Sequence, residues 1–215
     1  MNITVIGSTG RVGRQVLVEG LRRGHRLTAF TRRPAALPDT SGLAAVVSGD
    51  GQDPQALRKA LTGADAVIAT VGSTSRRGPH PTAGVARALT RSMTELGVPR
   101  LVITSAYPIV GSKPRLLMAL LRLVFAAAYA DVAEMERIVA GSDLDWTIVR
   151  LNRLTDGPAT GRPRMSTEPF DKPTALTRAD TARTLLDVVE DAGTARTAVN
   201  LAGFEHSRRS AGLAE

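Results

Sequence analysis

The sequence predicts a doubly wound α/β domain, a parallel sheet covered by helices on both faces. Three observations carry this expectation. Short apolar runs rich in Val, Ile, Leu and Thr occupy residues 2–6, 26–30, 44–47, 65–70, 100–104 and 145–149. Segments of helical spacing lie between them, as in Val12, Val16, Leu17 and Leu21, followed by Gly24 where a helix would stop. The runs are continuously apolar rather than alternating, as burial on both faces of a sheet requires. Strands that alternate with helices pair in parallel, because each crossover carries a helix. The 215 residues suit one domain with a sizeable core. With no internal repeat and no linker, a single domain is expected over residues 1–203, and residues 204–215 read as a flexible tail.

Composition narrows the function classes. Hydrophobic residues make up 43% of the chain and charged residues 22%, the balance of a folded globular protein. The absence of cysteine excludes disulfides and thiol chemistry and agrees with a reducing cytoplasm. Met1 leads directly into strand-like sequence, so no signal peptide is expected. The net charge of +8 raises the question of nucleic acid. However, the basic residues are dispersed, no basic run exceeds a pair, and aromatics at 3% are too few for a stacking platform. A nucleic-acid partner is therefore not expected. The three histidines, His25, His80 and His206, lie far apart without acids at ligand spacing, so no metal site is expected.

The apolar stretch RLLMALLRLVFAAAYA, residues 115–130, is interrupted by Arg122 and ended by Asp131. It falls short of the roughly 20 residues a membrane span needs. It reads as a buried helix, or as one packed on a partner chain in a homodimer.

The first strand runs straight into Gly7-Ser8-Thr9-Gly10-Arg11-Val12-Gly13, which opens a helix. Strand, three spaced glycines, then helix is the dinucleotide-binding fingerprint of Rossmann-like sheets. The first glycine makes the turn, the second admits a pyrophosphate, and the third lets helix and strand approach. The amides of the helix start then face the phosphates. An NAD-preferring site places an acid about 20 residues further on, to hold the ribose 2′-OH. Here the second strand ends in Thr31-Arg32-Arg33-Pro34 with no acid nearby. Two guanidinium groups stand where a 2′-phosphate would lie, and Arg11 adds a third, which selects NADP(H). A solvated arginine pair is the plainer alternative.

These motifs carry a resemblance. GSTGRVG, the TRRP after the second strand, VVSGDGQDPQALRKALTGADAVIATVG, RLVITSAY, SDLDWTIVRLNRLTDGP and LTRADTARTLLDVVE resemble the atypical short-chain dehydrogenases/reductases that bind NAD(P). Within that group the chain is most similar to the NAD(P)H-binding reductases akin to flavin reductase/biliverdin-IX-beta reductase and to the NmrA-like regulators. The resemblance implies that Asp50 and Gly51 sit by the adenine. Asp50 can equally cap a turn in GDGQDP. It also implies that Val71 and Gly72 pass beside the nicotinamide ribose, and that Leu151 and Asn152 lie near the carboxamide. Many relatives carry Pro-Gly at this last position, so Leu151 is a departure.

Ligands of such sheets bind beyond the carboxyl ends of the strands. Ser105, ending the fifth strand, is therefore a candidate to hydrogen-bond a carbonyl oxygen as hydride arrives. Tyr107 is a candidate proton donor or pocket wall. Family members use a tyrosine with a lysine four residues later. Alignment on DWTIVR puts those positions at Ala128 and Val132, and Tyr129 is one residue out of register, turned by about 100° on a helix. The dyad is absent. Glu136 matches a family glutamate, with pairing to an arginine as its plain role, and Asp180 or Thr177 suits a helix cap. The expected function is NADPH-dependent reduction of a flavin, quinone or other conjugated carbonyl compound, which needs positioning more than a general acid. Two alternatives are an NADP(H)-sensing regulator without turnover and an isomerase or epimerase with resident cofactor.

Overall fold

The computed structural model describes residues 1–72, 78–111 and 115–204, except for the side chains of Leu117 and Arg122. The chain order is β1 (Asn2–Ile6), α1 (Arg11–Arg22), β2 (Arg26–Thr31), β3 (Ala45–Ser48), α2 (Pro54–Leu61), β4 (Ala66–Ala69), α3 (Thr82–Leu96) and β5 (Arg100–Ala106). There follow α4 (Arg115–Val124), α5 (Ala126–Ala140), β6 (Asp145–Leu151), β7 (Leu154–Thr155), β8 (Arg164–Ser166), β9 (Leu176–Thr177), α6 (Arg178–Glu190) and β10 (Thr197–Ala202). Each of the six apolar runs is a strand in the central sheet.

That sheet has eight strands in the order β3-β2-β1-β4-β5-β6-β10-β8, and every pairing is parallel except the antiparallel edge β8–β10. The chain steps outward from β1 to β3 and then crosses back to β4, so the winding reverses between β1 and β4. A crevice opens at the carboxyl end of such a reversal, because the two loops leave in opposite directions.

Side chains alternate across the strands and feed two cores. On one face Ile3, Val5, Leu27, Ala29 and Ile68 meet Val16 and Leu17 of α1 and Leu185 and Leu186 of α6. On the other, Ile6, Phe30, Val67 and Ile103 meet Leu57 of α2, Leu89 and Met93 of α3, and Met135 and Val139 of α5. The central strands are apolar on both sides because both sides are covered.

The strand candidates did not include β10. Asn200 interrupts its apolar run, yet is fully buried and donates from Nδ2 to the carbonyls of Ser166 and Thr167. The apolar stretch 115–130 is a correction. It breaks at Phe125 into two helices, and α4 is not buried: Leu116, Leu120 and Leu123 are 85%, 54% and 78% exposed, while Met118 turns inward. It lies beyond the sheet, packed mainly on α5 and the turn after β5. No helix among the described residues is long and apolar enough to cross a membrane. Residues 205–215, and with them His206 and most of the expected tail, lie outside the described residues.

Candidate cofactor and substrate site

The glycine loop is built by steric necessity. Gly7 has φ +79°, and a β-carbon there would sit 2.9 Å from the Thr70 carbonyl oxygen at the end of β4. A β-carbon on Gly13 would lie 2.4 Å from Gly7 O, so α1 can start this close to β1 only with glycine. The amide of Gly10 turns back onto Gly7 O at 2.9 Å, and the first α-helical bond runs from Arg14 N–H to Gly10 O. No side chain caps α1 and no acid stands in its first turn. The amides of Arg11, Val12 and Gly13 are thus left for an anion, so the loop fits a dinucleotide pyrophosphate.

Ser8 and Thr9 brace the loop rather than reach outward. Ser8 Oγ donates to Phe30 O at 3.0 Å, and Thr9 Oγ1 lies 2.9 Å from Thr31 Oγ1. Thr31 Oγ1 in turn accepts from the Arg33 amide at 3.1 Å, so the glycine loop and the arginine pair are fastened together. Arg32 and Arg33 are exposed, and among the described residues neither guanidinium has an ion-pair partner. Arg11 points elsewhere, 3.6 Å from Asp156, a contact between two exposed groups. Asp50 does hold a turn, accepting from the Gln52 amide at 2.8 Å, while remaining exposed. Gly51 backs onto Val85 of α3, where a β-carbon would come within 3.0 Å.

Beyond the carboxyl ends of β1, β4, β5 and β6 lies a cavity of about 440 Å³. Val12, Val71, Gly72, Ser105 and Leu151, all expected near the cofactor or substrate, line it together. Thr70, Thr104, Ala106 and Leu154 complete the strand side, Phe125 comes from the break between α4 and α5, and α5 supplies Ala128, Tyr129 and Val132. Asn152 stands apart, its Nδ2 donating to Thr174 O at 2.9 Å. The two positions expected for a dyad are thus on the wall as Ala128 and Val132, with neither phenol nor ammonium. Tyr129 also faces this cavity despite its register, 6.0 Å from the Phe125 ring centroid to centroid, and burial raises its pKa.

Two expectations about chemistry change. Tyr107 does not line the cavity: it is fully buried, stacks on Phe170 and donates its hydroxyl to Phe170 O at 2.8 Å. The short helical turn after β5 swings the ring under the chain, and burial pushes its pKa up. Ser105 does line the cavity, but its hydroxyl donates to Glu136 Oε1 at 2.5 Å. Glu136 is also gripped by Arg150, with Nε 2.9 Å from Oε1 and Nη2 2.7 Å from Oε2. The arginine pairing read for Glu136 is there; its link to Ser105 was not legible.

Asp180 is not the cap of α6. Thr177 Oγ1 is the N-cap of α6, and the buried Asp180 carboxylate accepts from Thr160 N, Thr160 Oγ1 and Gly161 N at 2.9, 2.7 and 2.9 Å. It therefore anchors the loop after β7. Burial alone would raise its pKa, but these hydrogen bonds outweigh it and hold the carboxyl below the usual range. His25 pairs with Glu190 at 2.6 Å, and no cluster of metal-ligating side chains occurs among the described residues.

A glycine loop at the winding reversal, followed by a cavity beyond the strand ends, defines a dinucleotide-binding protein of Rossmann-like fold. The chain belongs to the NAD(P)H-binding family, whose model matches residues 7–192. It is 31% identical over 185 residues to the 3-diazoavenalumate denitrifying reductase of a Streptomyces species, covering 76% of this chain and 59% of that protein. It is 27% identical to a sugar epimerase, YhfK, of Bacillus subtilis, described as uncharacterized, over 94% of both chains. A short-chain dehydrogenase/reductase from Veillonella parvula, solved in complex with NADP, shares the fold with a TM-score of 0.80 at 18% identity over 94% of each chain. Other curated relatives are much longer: the chain spans 14% of an uncharacterized Mycobacterium tuberculosis protein to which it is 29% identical.

Proposed function

We propose that the protein is an NADPH-dependent reductase of a flavin, quinone or other conjugated carbonyl compound. The observation that carries this reading is the cavity itself: apolar and aromatic, adjoining the glycine loop, with Ala128 and Val132 where a dyad would stand. A bound NADPH supplies a hydride to the electron-poor acceptor, and solvent supplies the accompanying proton. The chain's own residues bind and orient. The glycine-loop amides take the pyrophosphate, and Arg32 and Arg33 take the 2′-phosphate as guanidinium forks suit it. Val71, Gly72 and Leu151 flank the nicotinamide end. Phe125, Tyr129 and Val132 press the acceptor ring flat and exclude water. An acceptor that is already electron-poor needs no proton donor in the wall, which agrees with the missing dyad. The reductase name of the Streptomyces relative supports the class. A cysteine-free chain suits the reducing cytoplasm, where this reading locates it, and the exposed leucines of α4 are the surface a homodimer would use.

The test is loss of the near-ultraviolet absorbance of NADPH on adding purified protein and a panel of flavins, quinones and enones. Oxidation with at least one class is expected. Tight NADPH binding with no oxidation across the panel would replace this reading by a cofactor-sensing regulator.

A further inference from the structure

Ser105 is committed in one direction. A serine hydroxyl carries one proton, and this one is donated to Glu136. The direction is forced, because Glu136 accepts from Arg150 on both of its oxygens. A carboxylate in an arginine fork has no proton to give, so the serine must be the donor. The group is nearly out of solvent: Ser105 is 8% exposed, and the Glu136 and Arg150 side chains 13% and 16%. Strand register holds the arrangement, since Ser105 of β5 lies directly beside Arg150 of β6, and α5 brings Glu136 above both. What Ser105 retains for the cavity is lone pairs.

We infer that Ser105 meets the substrate as a hydrogen-bond acceptor only, so that the site selects conjugated rings carrying an N–H or O–H donor, such as imides and lactams. Glu136 and Arg150 are the positioning residues that set this polarity. The inference rests on the reductase reading and narrows its substrate class. A freely rotating serine would greet a carbonyl or an N–H alike. With its proton spent, it opposes a bare carbonyl oxygen with lone pairs and rewards a donor, which is discrimination by repulsion as much as attraction.

The chain has no cysteine, so maleimide can be offered without thiol alkylation. Reduction adds hydride from NADPH to one alkene carbon and a solvent proton to the other, giving succinimide and NADP⁺. N-methylmaleimide replaces that N–H donor by a methyl group. The wild type is expected to favour maleimide in kcat/KM by about tenfold, the worth of one hydrogen bond, expressed in KM. Ser105→Ala lowers that ratio by the same factor, leaving behind any steric effect of the methyl group, and Ser105→Thr keeps it. Glu136→Gln, whose amide can donate to the serine and release its proton toward the cavity, narrows or reverses the ratio while NADPH affinity is unchanged.

Equal kcat/KM for the two imides in the wild type overturns the inference and leaves the reductase reading standing. So does an equal loss on both imides in Ser105→Ala. Weakened NADPH binding in Ser105→Ala also overturns it, by assigning the serine to the cofactor. If neither imide is reduced, the reductase reading fails for this class. Binding to the NADP⁺ complex, followed by the NMR shift of the Ser105 amide, then decides: succinimide tighter than N-methylsuccinimide supports the inference, and equal binding overturns it.

Discussion

Gly13 occupies a position with no room for a side chain. Its absent β-carbon would stand 2.4 Å from a backbone oxygen, which no rotamer change can relieve. Gly13→Ala is therefore expected to push α1 away from β1 and weaken NADPH binding at least tenfold, with a lowered melting temperature. Fluorescence titration and a thermal melt check this; unchanged affinity would mean that the loop is not the pyrophosphate site. Such a residue is legible in sequence because its constraint is local. Ser105 is the opposite case. Its place at a strand end can be read from the apolar run before it, but its partner lies on a helix 31 residues away and depends on strand register. Tyr107 misleads for the same reason, since a position just past a strand does not say which way the following turn carries the ring.

At the scale of elements, α1 and α6 are joined on one face of the sheet by a seam of ions. Glu19 accepts from Arg22 and Arg23, and Arg23 continues to Asp187 and Glu190 of α6. The hydrogen bond from Arg22, reinforced by Arg23 against the effect of burial, lowers the Glu19 pKa from 4.5 to about 2. A depressed folded-state pKa contributes stability above the unfolded value and loses it as pH falls toward the folded one. The unfolding free energy is thus expected to decline between about pH 4.5 and 2, and Glu19→Gln to flatten that decline. Urea denaturation across this range is the measurement, and identical slopes in the two proteins would reject the seam. Periodicity and strand-like runs made α1 and the strands β1 to β6 readable, because the apolar pattern is written in their own residues; β10, interrupted by Asn200, was not. The fate of α4 is not so written. An apolar helix is buried only if something covers it, and here α4 packs mainly on α5 and the turn after β5, leaving its leucines exposed.

The whole molecule follows from a parallel sheet that reverses its winding beside a glycine turn. That logic was legible from spacing alone, and with it the crevice beyond the strand ends. Ala128 and Val132 of the cavity wall were legible as the dyad positions, but Phe125 and Tyr129 were not, since the rotation of α5 about its axis and the break before it are set by packing. The central claim is that this crevice holds NADP(H) through the glycine loop and the Arg32–Arg33 pair. Its most direct test is paired titration of NADPH and NADH on the wild type and on Arg32→Ala/Arg33→Ala. Charge-assisted hydrogen bonds to the 2′-phosphate should make NADPH about 10- to 100-fold tighter than NADH, and the double variant should lose that margin while still binding NADH. Equal affinity for the two nucleotides in the wild type, or a preference that survives loss of both arginines, would contradict it.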